Sequence, residues 1–119
     1  MRRAPVWVID AKPDNRTSIV RGTIESYGWT TCVLRPDEIK TTLVGLTPER
    51  VVVDASNTTE RDAVLEQVEQ LRAIETVRHL VVMSNDSFFA TQTVAYNFQW
   101  IDLPTERDWF QRLADLLGL

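Results

Sequence analysis

Two apolar runs in the chain each end on an aspartate. Residues 6–9 precede Asp10, and residues 51–53 precede Asp54. Runs rich in β-branched residues are typical of strands buried on both faces, as in a parallel sheet. Open α/β sheets bind their ligands at the carboxyl ends of the strands, so neighbouring strands of this kind would turn both carboxylates into one crevice. Two carboxylates held that close repel each other unless a cation or a proton offsets their charge. The two strand-end aspartates therefore predict a site that binds a cation or a proton.

Strand-like and helix-like patterns alternate along the whole chain and indicate how these acids are positioned. The patterns predict strands at residues 6–10, 30–34, 51–54, 80–83 and 98–102, with a helix after each strand. The first helix begins after Pro13 and Asp14, the fourth (86–96) is poorly patterned, and Pro104 leads the fifth. No Gly-x-Gly-x-x-Gly follows any strand. We therefore predict a flavodoxin-like (βα)5 fold, a doubly wound five-stranded parallel sheet with helices on both faces, as one domain over residues 1–119.

Composition excludes several classes of function. The formal net charge of −4 over 119 residues argues against a nucleic-acid-binding surface, which needs a basic excess. No run approaches the roughly 18–20 apolar residues of a membrane span. The single cysteine, Cys32, cannot form an internal disulfide, which fits the reducing cytoplasm. It lies in a strand pattern and is predicted to be a small buried residue. The only histidine, His79, opens another strand and is not predicted to be a ligand or a base.

An enzyme of flavodoxin-like fold is disfavoured by the same residues. Such an enzyme needs a glycine loop that cradles phosphate, or a nucleophile with a base beside it. The four glycines are not clustered, and Cys32 and His79 stand in separate strands. We therefore expect no catalysis of that kind.

Four segments hold the polar residues of the predicted strand ends: residues 8–16, 48–54, 82–84 and 100–104. In these segments the chain resembles the response-regulator receiver domain, and the resemblance covers essentially the whole length. Residues 8–16 resemble the acidic segment after the first receiver strand, and residues 48–54 resemble the segment that ends on the phospho-accepting aspartate. Residues 82–84 resemble the hydroxyl-bearing segment after the fourth strand, and residues 100–104 resemble the segment that carries Lys-Pro after the fifth. The implied role is signal transduction in a two-component system or phosphorelay.

The resemblance assigns roles to individual residues. Asp54 would be the phospho-acceptor, and Asp10, Asp54 and the backbone carbonyl of Ser56 would hold Mg²⁺, which offsets the charge of the acyl phosphate. Ser84 would donate a hydrogen bond to a phosphoryl oxygen. Trp100 stands at the position of the aromatic that switches rotamer on phosphorylation. Partners implied by the resemblance are a histidine kinase or another signalling protein.

Two departures from the receiver pattern affect the residues that would bind Mg²⁺ and the phosphoryl group. The second acid of the first segment is Ala11, and the lysine of Lys-Pro is Leu103. Loss of a charge-assisted hydrogen bond to phosphate removes about 1.5–3 kcal/mol of stabilisation from the phosphorylated product. The prediction is a pseudo-receiver that acts mainly through protein–protein contacts, and the alternative is a working acceptor that uses Asp54 with Mg²⁺. Asp54 and Asp10 are accordingly either site residues or acids that cap turns.

Aromatic residues concentrate near the carboxyl end of the chain. Without the lysine, Trp100 is predicted to be a core or subunit-contact aromatic and not a switch. One or two aromatics of this group are expected to remain exposed, and exposed aromatics mark partner surfaces. The predicted surface is the face of the fourth helix, fifth strand and fifth helix, and its occupant is a signalling partner or a second copy of the chain. The group comprises Phe88, Phe89, Tyr96, Phe98, Trp100, Trp109 and Phe110.

Overall fold

Five parallel strands form one sheet. The computed structural model describes residues 4–42, 47–56, 60–103 and 107–119. Its strands are β1 (Val6–Asp10), β2 (Thr31–Leu34), β3 (Arg50–Asp54), β4 (His79–Ser84) and β5 (Gln99–Asp102). They pair in the order β2-β1-β3-β4-β5, and every pair is parallel. The predicted flavodoxin-like sheet is confirmed, and each predicted strand boundary lies within one residue of the observed boundary.

Helices follow the strands as the alternating pattern predicts. They are α1 (Asn15–Ser26), α2 (Ile39–Thr42), α3 (Arg61–Arg72), α4 (Thr93–Tyr96) and α5 (Trp109–Leu117). A 3₁₀ turn, Pro36–Glu38, leads directly into α2. Pro104, predicted to lead the last helix, lies outside the described residues. No helix within the described ranges is long and apolar enough to cross a membrane.

The fourth helical segment differs from the regular helix that was predicted over 86–96. It is a 3₁₀ turn, Ser87–Gln92, followed by the four residues of α4. Asn97 then adopts a left-handed conformation with φ 57° and ends α4. The poor apolar periodicity of this segment is the physical reason, because a regular helix needs an apolar stripe to pack on the sheet.

The core consists of two layers, one on each face of the sheet. Alternate residues of one strand point to opposite faces, so Val8 joins one layer and Ile9 joins the other. One layer contains residues of α1 and α5, including Val20, Ile24 and Leu113. The opposite layer contains residues of α2, α3 and the 3₁₀ turn before α4, including Ile39, Val68 and Phe89. This sandwich fixes the carboxyl ends of β1, β3 and β4 side by side.

Candidate functional site at the carboxyl edge of the sheet

Asp10 and Asp54 lie opposite each other at the ends of adjacent strands. Their Cα atoms are register partners in the β1–β3 pair. Both residues are buried, with 1% and 5% of their surface exposed. The predicted proximity of the two strand-end acids is thus present, and it places two buried carboxyl groups side by side at the carboxyl edge of the sheet.

Asp10 is held by the start of α1. Its Oδ1 accepts a hydrogen bond from the Lys12 backbone N–H at 2.9 Å, and its Oδ2 accepts one from the Thr17 hydroxyl at 2.6 Å. Thr17 is itself buried, and its Oγ1 accepts from the Asp14 backbone N–H at 3.0 Å. Thr17 therefore fixes the rotamer of Asp10 and ties the end of β1 to the first turn of α1. Sequence reasoning missed this residue because it sits in an otherwise ordinary helix.

Asp54 has one satisfied oxygen and one orphaned oxygen. Its Oδ1 accepts hydrogen bonds from the backbone N–H of Ser56 at 3.0 Å and from the Ser56 hydroxyl at 2.5 Å. Its Oδ2 is buried and has no hydrogen-bond partner among the described residues. Buried polar atoms are nearly always paired, so an orphaned carboxylate oxygen indicates a position where a ligand or a proton belongs.

The electrostatics of Asp54 point in the same direction. Burial is the main cause that raises the pKa of the Asp54 carboxyl above its ordinary value, and the negative charge of Asp10 adds to the increase. Hydrogen bonds from Ser56 and the positive charge of Arg16 lower this pKa but do not cancel the rise. The ionised form is thus disfavoured in the isolated site, and a cation would favour it.

A third acid, Asp14, joins the two strand-end aspartates. One carboxylate oxygen from each of Asp10, Asp14 and Asp54 lies within 4.8 Å of the others. Sequence reasoning named Asp14 only as a helix start. The useful signal was the short distance along the chain between the end of β1 and the start of α1, which brings the cap residue over the strand end. The three carboxylates are hard oxygen donors, and together with the orphaned Asp54 oxygen they fit a small divalent cation such as Mg²⁺.

Ser56 follows the end of β3, and Ser84 is the last residue of the neighbouring strand β4. Ser56 donates to Asp54 through its backbone N–H and its hydroxyl. Ser84 is completely buried, its Oγ accepts from the Asp86 backbone N–H at 2.9 Å, and its carbonyl accepts from the Leu103 backbone N–H at 3.2 Å. Because Oγ is used as an acceptor there, the Ser84 hydroxyl proton remains a donor for a group on its other side.

An ion pair fastens the loop after Ser84 to α3. The Arg61 guanidinium donates to both carboxylate oxygens of Asp86, at 2.7 and 3.1 Å, and lies 4.6 Å from the centroid of the Phe88 ring. These hydrogen bonds hold the pKa of the Asp86 carboxyl below its ordinary value. This ion pair was not predicted from the sequence, because Arg61 and Asp86 are 25 residues apart along the chain.

The two positions that depart from the receiver pattern both lie within the residues that the structure describes. Ala11 is exposed in the bend after β1. Leu103 is half-buried and packs against the apolar layer that contains α1 and α5. Trp100 is also half-buried, packs against the opposite layer, and has a buried indole N–H with no acceptor among the described residues.

The aromatic group is mostly packed, with exposed apolar residues on α4 and α5. Phe89 and Phe98 are buried, and Phe110 is 45% exposed. The most exposed large apolar side chain in the described chain is Val94 on α4, at 92%. Phe88, Tyr96, Trp100 and Trp109 are half-buried.

Solved structures of receiver domains share this fold. No protein-family model matches the chain, and no curated protein matches it at a significant level. A transiently phosphorylated switch in bacterial signal transduction is 19% identical, with 99% of this chain and 94% of that chain covered and a TM-score of 0.73. A response regulator from Thermotoga maritima is 15% identical, with 98% and 99% covered and a TM-score of 0.72. A response regulator receiver protein from Pseudomonas putida is 17% identical, with 97% and 98% covered and a TM-score of 0.71. At these identities the likeness establishes the receiver-domain fold.

Proposed function

We propose that the chain is a receiver-like signalling module of a two-component system or phosphorelay, with a degenerate phosphorylation site, that acts mainly through protein–protein contacts. The observation that carries this proposal is the position of Leu103. It stands where the receiver pattern has a lysine, and its side chain packs into the apolar layer with α1 and α5. A leucine supplies no positive charge and no hydrogen bond to a phosphoryl group. The module is therefore a regulator and not an enzyme.

The alternative is a phospho-acceptor that works through Asp54. The orphaned Oδ2 of Asp54 supports it, because this oxygen has no hydrogen-bond partner among the described residues and would be the nucleophile toward the phosphorus of a phosphodonor. As a P–O bond to Asp54 forms, the bond from phosphorus to the leaving group would break. This is a P–O bond in acetyl phosphate and a P–N bond in phosphoramidate or in the phosphohistidine of a kinase. A bound Mg²⁺ would neutralise the phosphoryl charge and help to orient the donor. Ser84 and the positive charge of Arg16 would then stabilise the product, and a histidine kinase would be the partner.

Intact mass after incubation with acetyl phosphate or phosphoramidate and Mg²⁺ separates the two proposals. The degenerate site predicts no phosphoryl adduct under conditions that fully modify an ordinary receiver. A single adduct that disappears in Asp54→Asn would contradict that prediction and establish the acceptor.

Restoring the missing groups tests whether Leu103 and Ala11 are the cause. We expect Leu103→Lys combined with Ala11→Asp to gain an adduct that depends on Asp54. Leu103→Met is the matched control, because methionine keeps the apolar contact and adds no charge. An equal adduct in Leu103→Met and Leu103→Lys would show that the charge at this position is not what limits phosphorylation.

The surface for protein contacts is proposed to be the face formed by α4, β5 and α5, and its occupant a second copy of the chain. Val94 on α4 and Phe110 on α5 expose apolar surface there, and β5 is an edge strand of the sheet. Light scattering coupled to size exclusion should detect a concentration-dependent dimer that Val94→Asp disrupts. Ile19→Asp is the matched control, since Ile19 is 53% exposed on α1. A monomer at every concentration would refute the homodimer and leave a heterologous partner.

A further inference from the structure

The acid that the receiver pattern has at position 11 is absent, but another carboxylate is close to the place where it would act. Asp14 lies three residues beyond Ala11 and supplies an oxygen within 4.8 Å of oxygens on both Asp10 and Asp54. The three groups come from the end of β1, the cap of α1 and the end of β3. Their separation is one that a single cation can bridge, because Mg²⁺–oxygen distances of about 2.1 Å put two ligand atoms about 3–4 Å apart.

The orphaned oxygen of Asp54 is an independent sign that something binds there. Asp54 is 95% buried, and its Oδ2 has no donor within the described ranges. Among the residues that the structure describes, the donors to Asp54 are the backbone N–H and the hydroxyl of Ser56, and both go to Oδ1. A cation held between the acids would satisfy Oδ2 and remove the repulsion between like charges.

Asp14 can bind a cation without giving up its structural role. As the cap of α1, its Oδ1 accepts from the backbone N–H of Arg16 at 2.9 Å and of Thr17 at 3.4 Å. A carboxylate offers about four lone-pair positions, so one carboxylate can serve as a helix cap and as a metal ligand at the same time. Thr17 adds a rigid link, because it bonds both the Asp14 backbone and the Asp10 carboxylate.

We propose that Asp14 replaces the missing acid at position 11 as the third carboxylate ligand of a divalent cation, Mg²⁺ or Mn²⁺, held with Asp10 and Asp54. The inference deepens the proposed receiver-like site, but it concerns cation binding alone and requires no phosphorylation. It gives Asp14, the cap of α1, a metal-binding role that could not be predicted from its position in the sequence.

A titration with Mn²⁺ tests the proposal directly. Electron paramagnetic resonance reports binding as a loss of the free-ion signal, and Mg²⁺ serves as the competitor. Asp14→Asn is the informative variant, because asparagine caps helices as well as aspartate does and removes only the charge. We expect it to weaken Mn²⁺ binding at least about tenfold, since affinity in such sites follows the number of charged ligands. Asp115→Asn, an exposed acid near the end of α5, controls for the change in net charge and should bind as the wild type does.

Rescue distinguishes a ligand from a merely structural acid. Ala11 is exposed, so an aspartate fits there, and Ala11→Asp in the Asp14→Asn background should recover most of the affinity. Wild-type affinity in Asp14→Asn, or no Mn²⁺ binding by the wild-type chain, would overturn the inference. A phosphoryl adduct on wild-type Asp54 would overturn the degenerate-site proposal and leave this inference standing, so the two fail separately.

Discussion

Replacing Asp54 by asparagine should stabilise the folded chain at pH 8 in the absence of divalent cations. Ionised Asp54 faces Asp10 and Asp14, with one oxygen of each within 4.8 Å of the others. Two unit charges at that distance repel by about 3 kcal/mol at an effective dielectric constant of about 20. Asparagine removes this repulsion and keeps an oxygen for Ser56, although a hydrogen bond to a neutral acceptor is weaker by about 1 kcal/mol.

The net gain in the free energy of unfolding is therefore about 1–3 kcal/mol, or roughly 4–12 °C in Tm for a chain of this size. The gain must also depend on pH. Because burial raises the Asp54 pKa in the folded state, the folded state binds more protons than the unfolded state between the two pKa values. The contribution of Asp54 to the stability of the wild type falls as pH rises through that window, and the fall is complete above the folded-state pKa. Asp54→Asn does not share this fall.

Thermal unfolding followed by circular dichroism between pH 4 and pH 8, in EDTA, measures the difference. The Tm advantage of Asp54→Asn should grow as pH rises, and saturating Mg²⁺ should shrink it by stabilising only the wild type. Asp115→Asn should show neither effect. A variant with equal or lower Tm at pH 8, or an advantage that does not change with pH, would refute the argument that a repelled buried charge governs this site.

Three further predictions concern the surroundings of the site. Arg61→Ala should release Asp86 and speed amide hydrogen exchange in the loop after Ser84, whereas Arg107→Ala should not; unchanged exchange would contradict a tethered loop. Burial raises the pKa of the Cys32 thiol, so alkylation by iodoacetamide at pH 7.5 should be slower in the folded chain than in urea, and equal rates would contradict it. Asn97→Ala should lower the free energy of unfolding by about 1 kcal/mol in denaturant titrations, because φ is 57° at this position, whereas Asn97→Gly should be near neutral. Equal losses in the two variants would contradict backbone strain at position 97.

The sheet was predictable because its pattern is redundant. The strands β1, β3 and β4 are short runs rich in β-branched residues, and a parallel sheet buries such runs on both faces. The β1–β3 adjacency then followed from the fold class, and with it the meeting of Asp10 and Asp54. Segment 86–96 was less predictable, because it lacks an apolar stripe and packs through a 3₁₀ turn.

Contacts between loops could not be predicted, since nothing local encodes them. Arg61 and Asp86 belong to different βα units, and their pairing depends on the exact path of two loops. Asp14 is a similar case. A Pro-Asp pair predicts a helix cap, and the carboxylate accepts from the N–H groups of Arg16 and Thr17, but its proximity to Asp54 depends on the pairing of β1 with β3. Side-chain direction in a turn is a tertiary property, whereas the face on which a strand residue lies is not.

The cost of the acidic crevice is itself an argument about function. A buried carboxylate with an unpaired oxygen and a like-charged neighbour destabilises the fold, and asparagine at position 54 would hold the Ser56 turn without that cost. An aspartate that served only to cap the turn would therefore be the worse of two similar side chains. Aspartate, unlike asparagine, offers a negative charge that can bind a cation and a nucleophilic oxygen that can accept a phosphoryl group. The chain has an uncharged leucine at position 103, where the receiver pattern has a lysine. Compared with that pattern, it keeps the carboxylates that attract a cation and lacks the lysine that contacts phosphate. These residues therefore support the proposal of a divalent-cation site at the edge of the sheet over that of a site for phosphoryl transfer.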